Sequence, residues 1–162
     1  MAKIITAAEA ADLIRDGMTL GVSGFGAFAS PDYVMEAMSR KFKEQNTPRD
    51  LTIVSGVAPG DFVEDGCGLS KIKDEGIIKT LIASHLRMSP AIGRACSENK
   101  IAAFSMPLGV YGQLLNAIGS KRPGIITHVG LNTYADPRQD GCKMNALAKA
   151  DGRELVELIH VS

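Results

Sequence analysis

The sequence has little of the features that mark several large classes of protein. Its 162 residues include no tryptophan and 5% aromatic residues, and 18 basic side chains balance 18 acidic ones to a formal net charge of zero. Proteins that bind nucleic acid or anionic membranes carry excess positive charge, so the balance argues against both partners. No apolar run approaches the roughly 18 residues that a membrane-spanning helix requires.

Cysteine is also scarce, and its spacing is uninformative for disulfides. Cys67, Cys96 and Cys142 are odd in number and far apart, which favours reduced thiols and forms neither a disulfide framework nor a Cys-x-x-Cys metal clip. Met1-Ala2-Lys3 leads into an alanine- and acid-rich segment and not into the apolar core of a signal peptide. We therefore expect a cytoplasmic protein.

What the sequence does have is an alternation of short apolar strands with helices. A chain of this length, 45% hydrophobic, can bury roughly 68–70% of its unfolded surface and so build a core. Thr6 and Glu9 form a capping-box pattern that starts the first helix. The alternation predicts an α/β fold with a mostly parallel sheet covered on both faces. Strands are predicted at 19–22, 51–54, 79–82, 101–105, 124–129 and 154–161, and later helices from 30–31, at 88–99 and at 108–118.

The stretch from Gly21 to Pro31 is rich in glycine and lies between a strand and a helix. Glycines let the backbone turn sharply and present N–H groups, which suits an anion or oxyanion site. Gly24, Gly26 and Ala29 also match the dinucleotide fingerprint G-x-G-x-x-A, but the second strand ends at 54–56 without the acid that would hold a ribose. NAD binding is therefore disfavoured, and a simple tight connection is the other alternative.

The surroundings of this stretch resemble a known family. The segment resembles the signature of the family I coenzyme A transferases in its order of residues: Asp16-Gly17-Met18-Thr19, three small or apolar residues, Ser23-Gly24-Phe25 and then Pro31. It departs from that signature at Gly21, Ser23 and Ala29. The likeness continues collinearly along the chain. It resembles the amino-terminal part of an acetate or propionate CoA-transferase in which an α-like half precedes a β-like half. The later matching segments are 75–76, 90–93, 98–100, 121–124, 136–138, Gly141, Lys143 and Asn145.

The resemblance implies a fold, a reaction and a site. The fold is a three-layer α/β/α open sandwich, of which residues 1–162 are an α-like domain incomplete at its carboxyl-terminal end. In the reaction a Glu carboxylate attacks the acyl-CoA thioester, giving an acyl-glutamyl anhydride and then a glutamyl-CoA thioester. CoA is the group transferred, and no metal or organic cofactor is expected. That Glu belongs to the β-like half, so this chain alone is expected to be inactive and to contain no catalytic residue.

Site residues follow from the same resemblance. The implied partners are acyl-CoA, a short-chain carboxylate, the missing β-like half and further copies in a homo-oligomer. We expect an oxyanion and acyl-binding loop at Ser23, Gly24, Phe25, Gly26 and Ala27, and a substrate pocket bordered by Gly56, Val57, Leu108 and Gly109.

Two positions need separate interpretation. Ser97-Glu98-Asn99 matches the start of the S-E-N-G motif around the family's nucleophile, but Lys100 replaces its glycine and the stretch ends a predicted helix. We interpret Glu98 as a solvated helix-end carboxylate. Leu108 stands where related members often have Gln, and its apolar side chain would favour simple short-chain acids over succinate or 3-oxo acids, unless it packs in the core.

The remaining polar residues give weaker signals. His85, His128 and His160 have no metal-ligand spacing. Asp136, Arg138 and Lys143 lie in a predicted polar loop where they could meet CoA phosphates or simply be solvated. The rival function is a non-catalytic module of the same fold that binds acyl-CoA or a phosphorylated ligand.

Overall fold

Four short strands, β1 (Thr19–Val22), β2 (Leu51–Ser55), β3 (Ile78–Ala83) and β4 (Ala102–Ser105), pair in parallel and in chain order. The computed structural model describes residues 3–160. The strands form because each is a short apolar run that becomes buried, and β4 is buried at every position. All four were predicted from the sequence to within a residue of their observed ends.

The helices that connect these strands pack on one face of the sheet. Neighbouring parallel strands added in one direction by right-handed crossovers place their connections on the same side. Side chains of these helices join Leu51, Ile53, Leu81 and Ala103 in one buried core. The elements on this face are α1 (Ala7–Asp12), α2 (Asp32–Gln45), a 3-10 helix (Gly68–Ile72) and α3 (Pro90–Ser97).

The opposite face of the sheet is covered by residues from the end of the chain. Ile82, Ala102 and Phe104 project from β3 and β4 to this side and form a second buried cluster with Ala148. Ala148 lies in α5 (Ala146–Ala150), while α4 (Leu108–Gly119) follows β4. The mostly parallel sheet with helices confirms the predicted α/β class.

Two predicted strands do not form in the described residues. Residues 124–129 and 154–160 have no regular secondary structure, and the end of the second predicted strand, at 161, lies outside the described residues. A strand needs a partner, and the outer edge of β4 is already occupied: Ser105 N donates to Cys142 O (2.8 Å) and Met144 N to Ala103 O (2.9 Å). The predictions failed because apolar pattern alone does not supply a free sheet edge.

Helix starts follow the expected chemistry with small shifts. The Thr6–Glu9 capping box is present, with Thr6 N donating to Glu9 Oε2 at 2.8 Å. Pro31 occupies the N-cap position of α2 and not its first helical position, so the helix begins one residue later than predicted. None of the helices within residues 3–160 combines the length and the apolar character needed to cross a bilayer.

Candidate active-site edge

The carboxyl ends of all four strands meet at one edge of the sheet, where parallel α/β folds bind their ligands. The glycine loop (residues 23–29) follows β1, and Gly56 follows β2. Ser84 follows β3, and Pro107 leads from β4 into α4. Every residue that the sequence assigns to the loop or to the pocket comes within a few residues of a strand's carboxyl end.

The glycine loop is a tight hairpin. Phe25 and Phe28 exchange two backbone hydrogen bonds of 3.1 Å, and both side chains are exposed. Gly24 has a φ of +124°, and a Cβ there would approach Pro59 Cβ to 3.1 Å, so a larger residue would be both strained and crowded. The loop is therefore a built turn that presents an apolar rim.

The hairpin uses some of the N–H groups that were expected to face a ligand. Phe25 N donates to Phe28 O, and Gly26 N donates to Met88 Sδ at 3.3 Å. Within residues 3–160, the N–H groups of Gly24 and Ala27 have no such partner. The N–H group of Ser23 also has no partner there, although the Ser23 hydroxyl donates to Ala29 O. Three of the five predicted loop residues therefore keep a free N–H group.

Met88 ties the glycine loop to the loops after β2 and β3. Besides its sulfur contact to Gly26, Met88 O accepts a 3.0 Å hydrogen bond from Phe62 N, and Gly60 N donates to Gly26 O at 3.1 Å. A Cβ on Gly60 would lie 2.2 Å from Met88 O, so only glycine permits this approach. Sequence reasoning placed Met88 in a helix and missed this role, because the contact joins residues 62 positions apart.

Three serine hydroxyls form hydrogen bonds between neighbouring strand ends. Ser55 Oγ donates to Val22 O (2.8 Å), Ser84 Oγ to Gly56 O (2.5 Å) and Ser105 Oγ to Ser84 O (2.8 Å). Each hydroxyl satisfies a carbonyl at the carboxyl end of an adjacent strand, which fixes the relative position of the loops above. Each serine is the first polar residue after an apolar run, which is a sequence signal for the end of a buried strand, but their hydrogen bonds to neighbouring strands could not be read from the sequence.

The predicted pocket residues separate into two groups. Leu108 is 48% exposed, so it does not pack in the core, and its Cδ1 would lie 3.3 Å from a Cβ on Gly56. Gly109 leaves open space, with no atom within 4 Å of where its Cβ would be. Val57, however, is 1% exposed. The structure therefore places the Val57 side chain inside the protein, so that only its backbone is left to border the predicted pocket.

Glu98 lies away from this edge. It caps the carboxyl end of α3, just before β4 begins, so it lies at the amino ends of the strands. Its carboxylate is half-exposed and pairs with Lys100 at 3.2 Å. This geometry confirms the interpretation of Glu98 as a helix-end carboxylate.

The signature residues Asp16 and Gly17 have a structural role at the same amino-terminal edge. Asp16 Oδ1 accepts hydrogen bonds from Thr47 Oγ1 (2.6 Å) and Arg49 N (2.8 Å), and Gly17 N donates to Arg49 O (2.8 Å). The hydrogen bond from Thr47 and then that from Arg49 lower the pKa of Asp16. The two residues thus hold the entry to β1 against the entry to β2.

The charged side chains of the loop after α4 form ion pairs and hydrogen bonds with one another and with nearby residues. Asp136 is buried and accepts from Asn132 N (2.7 Å) and from Arg138 Nη2 (2.6 Å), while Lys143 pairs with Glu154. The Arg138 guanidinium, followed by backbone N–H donors, holds the pKa of Asp136 far below its usual range. Arg138 and Lys143 are therefore paired with nearby carboxylates, and of the two alternatives, contact with CoA phosphates and a solvated loop, the first gains no support from this arrangement.

Histidines and cysteines contribute no reactive cluster to the edge. No group of three or more His, Cys, Asp or Glu side chains within residues 3–160 is arranged to hold a metal ion. Burial raises the pKa of Cys96 to about 12 and that of Cys142 to about 11, so both remain thiols.

Comparison with known proteins decides the family. The sequence profile described as "Coenzyme A transferase" matches residues 4–157. This chain belongs to the coenzyme A transferase family. A caffeate CoA-transferase of Acetobacterium woodii is 41% identical over 157 residues, which are 97% of this chain and 30% of that protein.

Two further relatives differ in how much of their length this chain matches. The α subunit of acetate CoA-transferase of Escherichia coli K12 is 28% identical over 134 residues, 83% of this chain and 57% of the subunit. The crystal structure of the acyl-CoA transferase YdiF apoenzyme from E. coli O157:H7 superposes with a TM-score of 0.88 at 34% identity, covering 98% of this chain and 30% of that one. A structure of the same protein described as a thioester complex with CoA gives the same TM-score. The chain thus spans about 30% of the length of the first of these relatives.

Proposed function

We propose that this chain is the α-like part of an acyl-CoA:carboxylate CoA-transferase of the acetate and propionate type. The support is the family match over residues 4–157 together with a glycine loop at the carboxyl edge of the sheet. In the proposed reaction a Glu of the β-like half attacks the thioester carbonyl and releases CoA thiolate. The thiolate then attacks the glutamyl carbonyl of the anhydride, forms glutamyl-CoA and releases the first acid as its carboxylate. The second acid reverses these steps.

The glycine loop would act on the charge that develops in each tetrahedral step. The N–H groups of Ser23, Gly24 and Ala27, which have no hydrogen-bond partner within residues 3–160, are the donors proposed for an oxyanion. In other enzymes one such donor is worth about 2.7–4 kcal/mol of transition-state stabilisation. The role therefore needs no titratable residue from this chain, which agrees with a site whose nucleophile comes from elsewhere.

Leu108 is proposed to select simple short-chain acids. Its exposed side chain covers Gly56 at the edge and offers no hydrogen-bond donor to a second carboxylate or a keto oxygen. In the complete enzyme we expect Leu108→Gln to raise the ratio of succinate to acetate turnover about tenfold, a typical value for one added hydrogen bond. Leu115→Gln, on the exposed side of the same helix, is the control. An unchanged ratio of succinate to acetate turnover in Leu108→Gln would contradict the role of Leu108 in selecting the acid.

The proposed partners are the β-like half and further copies of the protein. Residues 106–160 expose many large apolar side chains, among them Ile118, Ile126 and Val129. Apolar surface of this kind commonly marks an interface. A cytoplasmic location is proposed because all three cysteines are free thiols, which suits a reducing compartment.

The experiment that tests the function is exchange of CoA between acetyl-CoA and labelled propionate. We expect no exchange by this chain alone and exchange when it is assembled with a β-like half. Protection by acyl-CoA in a thermal-shift assay, without exchange in the assembled protein, would instead support the binding-module alternative. As the control, the exchange rate is measured at the same concentration of this chain with and without the β-like half.

A further inference from the structure

Tyr111 lies beside the predicted pocket, although nothing in the family resemblance singles it out. It follows Leu108 by three residues in α4, so the two side chains lie on the same side of the helix. A Cβ placed on Gly56 would lie 3.3 Å from Leu108 Cδ1 and 3.4 Å from both Cδ1 and Cε1 of Tyr111. The leucine and the phenol ring together cover Gly56 at the carboxyl end of β2.

The three tyrosines of the chain differ in what their hydroxyls do. Tyr33 is 83% exposed on α2, and the Tyr134 hydroxyl lies 3.0 Å from Ser105 Oγ. Tyr111 is 7% exposed, yet its hydroxyl forms no hydrogen bond with any residue from 3 to 160 and is not sealed from solvent. A tyrosine with a buried ring normally has a partner for its hydroxyl, so this hydroxyl is available to a ligand.

The protonation state of Tyr111 suits a donor. Burial raises the pKa of the phenol above its ordinary value, so the hydroxyl keeps its proton at neutral pH. The other side chains of the pocket offer nothing comparable: Leu108 is apolar, and Gly56 and Gly109 have no side chain. A carboxylate at this edge would find one neutral side-chain donor here, next to the apolar surface that suits a short alkyl chain.

We propose that the Tyr111 hydroxyl donates a hydrogen bond to the carboxylate of the short-chain acid bound beside Leu108, which makes it a substrate-binding residue. The proposal rests on the proposed function and names one contact of that site. A hydrogen bond to a charged group strengthens binding roughly 10-fold to 100-fold. Removing the Tyr111 hydroxyl should therefore weaken binding of the free acid. The thioester, which carries no carboxylate charge at its carbonyl, depends on it much less.

The test is Tyr111→Phe in the complete transferase, which keeps the ring against Gly56 and removes only the hydroxyl. We expect the KM for acetate to rise at least tenfold, with the KM for acetyl-CoA and kcat changed less than threefold, and an unchanged Tm. Tyr33→Phe, which removes an exposed hydroxyl on α2 that is not part of the predicted pocket, is the matched control and should leave all four quantities unchanged.

Each other outcome has a distinct meaning. An active Tyr111→Phe enzyme with an unchanged KM for acetate would overturn the Tyr111 assignment and leave the proposed function intact. A clearly lowered Tm would also overturn it, because the hydroxyl would then serve the fold. A complete wild-type protein that transfers no CoA would overturn the proposed function, and the Tyr111 assignment with it, before any variant is made.

Discussion

Residues 3–105 and residues 106–160 use their apolar side chains in opposite ways. The first region holds all four strands and, with its helices, the main buried core. The second region contributes few buried side chains and carries 11 of the 19 large apolar side chains that are exposed between residues 3 and 160. The first region therefore buries most of its apolar side chains within itself, whereas the second leaves many exposed, as protein interfaces commonly do.

The difference teaches where sequence pattern stops being sufficient. Residues 124–129 and 154–160 have the apolar character of strands, yet they pair with nothing in the described residues, since residues 142–144 occupy the outer edge of β4. In the first region every apolar run finds a neighbouring strand. Local pattern became structure only where the described chain supplies the partner.

The largest expected contrast is between one leucine from each region. Leu81 in β3 is fully buried, so Leu81→Ala should lower the free energy of unfolding by about 2–5 kcal/mol through lost burial and a cavity. Leu115 in α4 is exposed, and Leu115→Ala should change the same quantity by less than about 0.5 kcal/mol. Urea unfolding followed by circular dichroism measures both. Equal costs would contradict the division into two regions.

A smaller effect is expected where the two regions are joined. The Asn145 amide donates to Cys96 O and Ile101 O, both at 2.7 Å, and its oxygen accepts from Ala103 N (3.2 Å) and Ala148 N (2.9 Å). Asn145→Ala removes four hydrogen bonds and should cost about 2–3 kcal/mol of unfolding free energy.

Two variants sharpen the Asn145 result. Asn145→Asp keeps one accepting oxygen but places a second acceptor oxygen against the carbonyls of Cys96 and Ile101, so its cost should exceed that of Asn145→Ala. Asn116→Ala, on the exposed surface of α4, controls for loss of an amide without partners. If Asn145→Ala unfolds at the wild-type urea concentration, the junction does not depend on this side chain.

The smallest effect concerns the acid stability of the second region. Because Arg138 and backbone donors hold the pKa of Asp136 far below the ordinary 3.8, the unfolded chain takes up this proton before the folded one. The stabilisation is therefore complete above the ordinary pKa and is lost as the pH falls below about 4. Tm measured from pH 7 to pH 3 should fall more steeply for wild type than for Asp136→Asn in that acidic range. Parallel curves would contradict this role of Asp136.

The sequence predicted the parts of the site that depend on local chemistry. The four strands, the capping box at Thr6 and the glycine loop after β1 all follow from residue types and short spacings. The helix α5 and the 3-10 helix were missed because each is only five residues long, too short for a helical period to show. Asn145, which caps α5, was the one local signal that could have indicated it.

What the sequence could not predict depends on contacts between distant residues. The Gly26 amide was expected to face a ligand but is bound by the sulfur of Met88, and Val57 was expected at the pocket but its side chain lies in the interior. The Tyr111 ring lies against Gly56, a contact between distant residues that no sequence motif indicates. Each of these outcomes is set by packing across the sheet edge, where no short sequence pattern records the neighbour.

The most direct test of the central claim is to locate the CoA thioester on the protein. The complete transferase would be incubated with acetyl-CoA, digested, and its modified carboxylate mapped by mass spectrometry against a sample treated with free CoA. We predict a CoA adduct on a Glu outside residues 1–162 and unmodified peptides throughout this chain, including the peptide that contains Glu98. A CoA thioester on Glu98, or on any other carboxylate of these 162 residues, would contradict a site whose nucleophile comes from the β-like half.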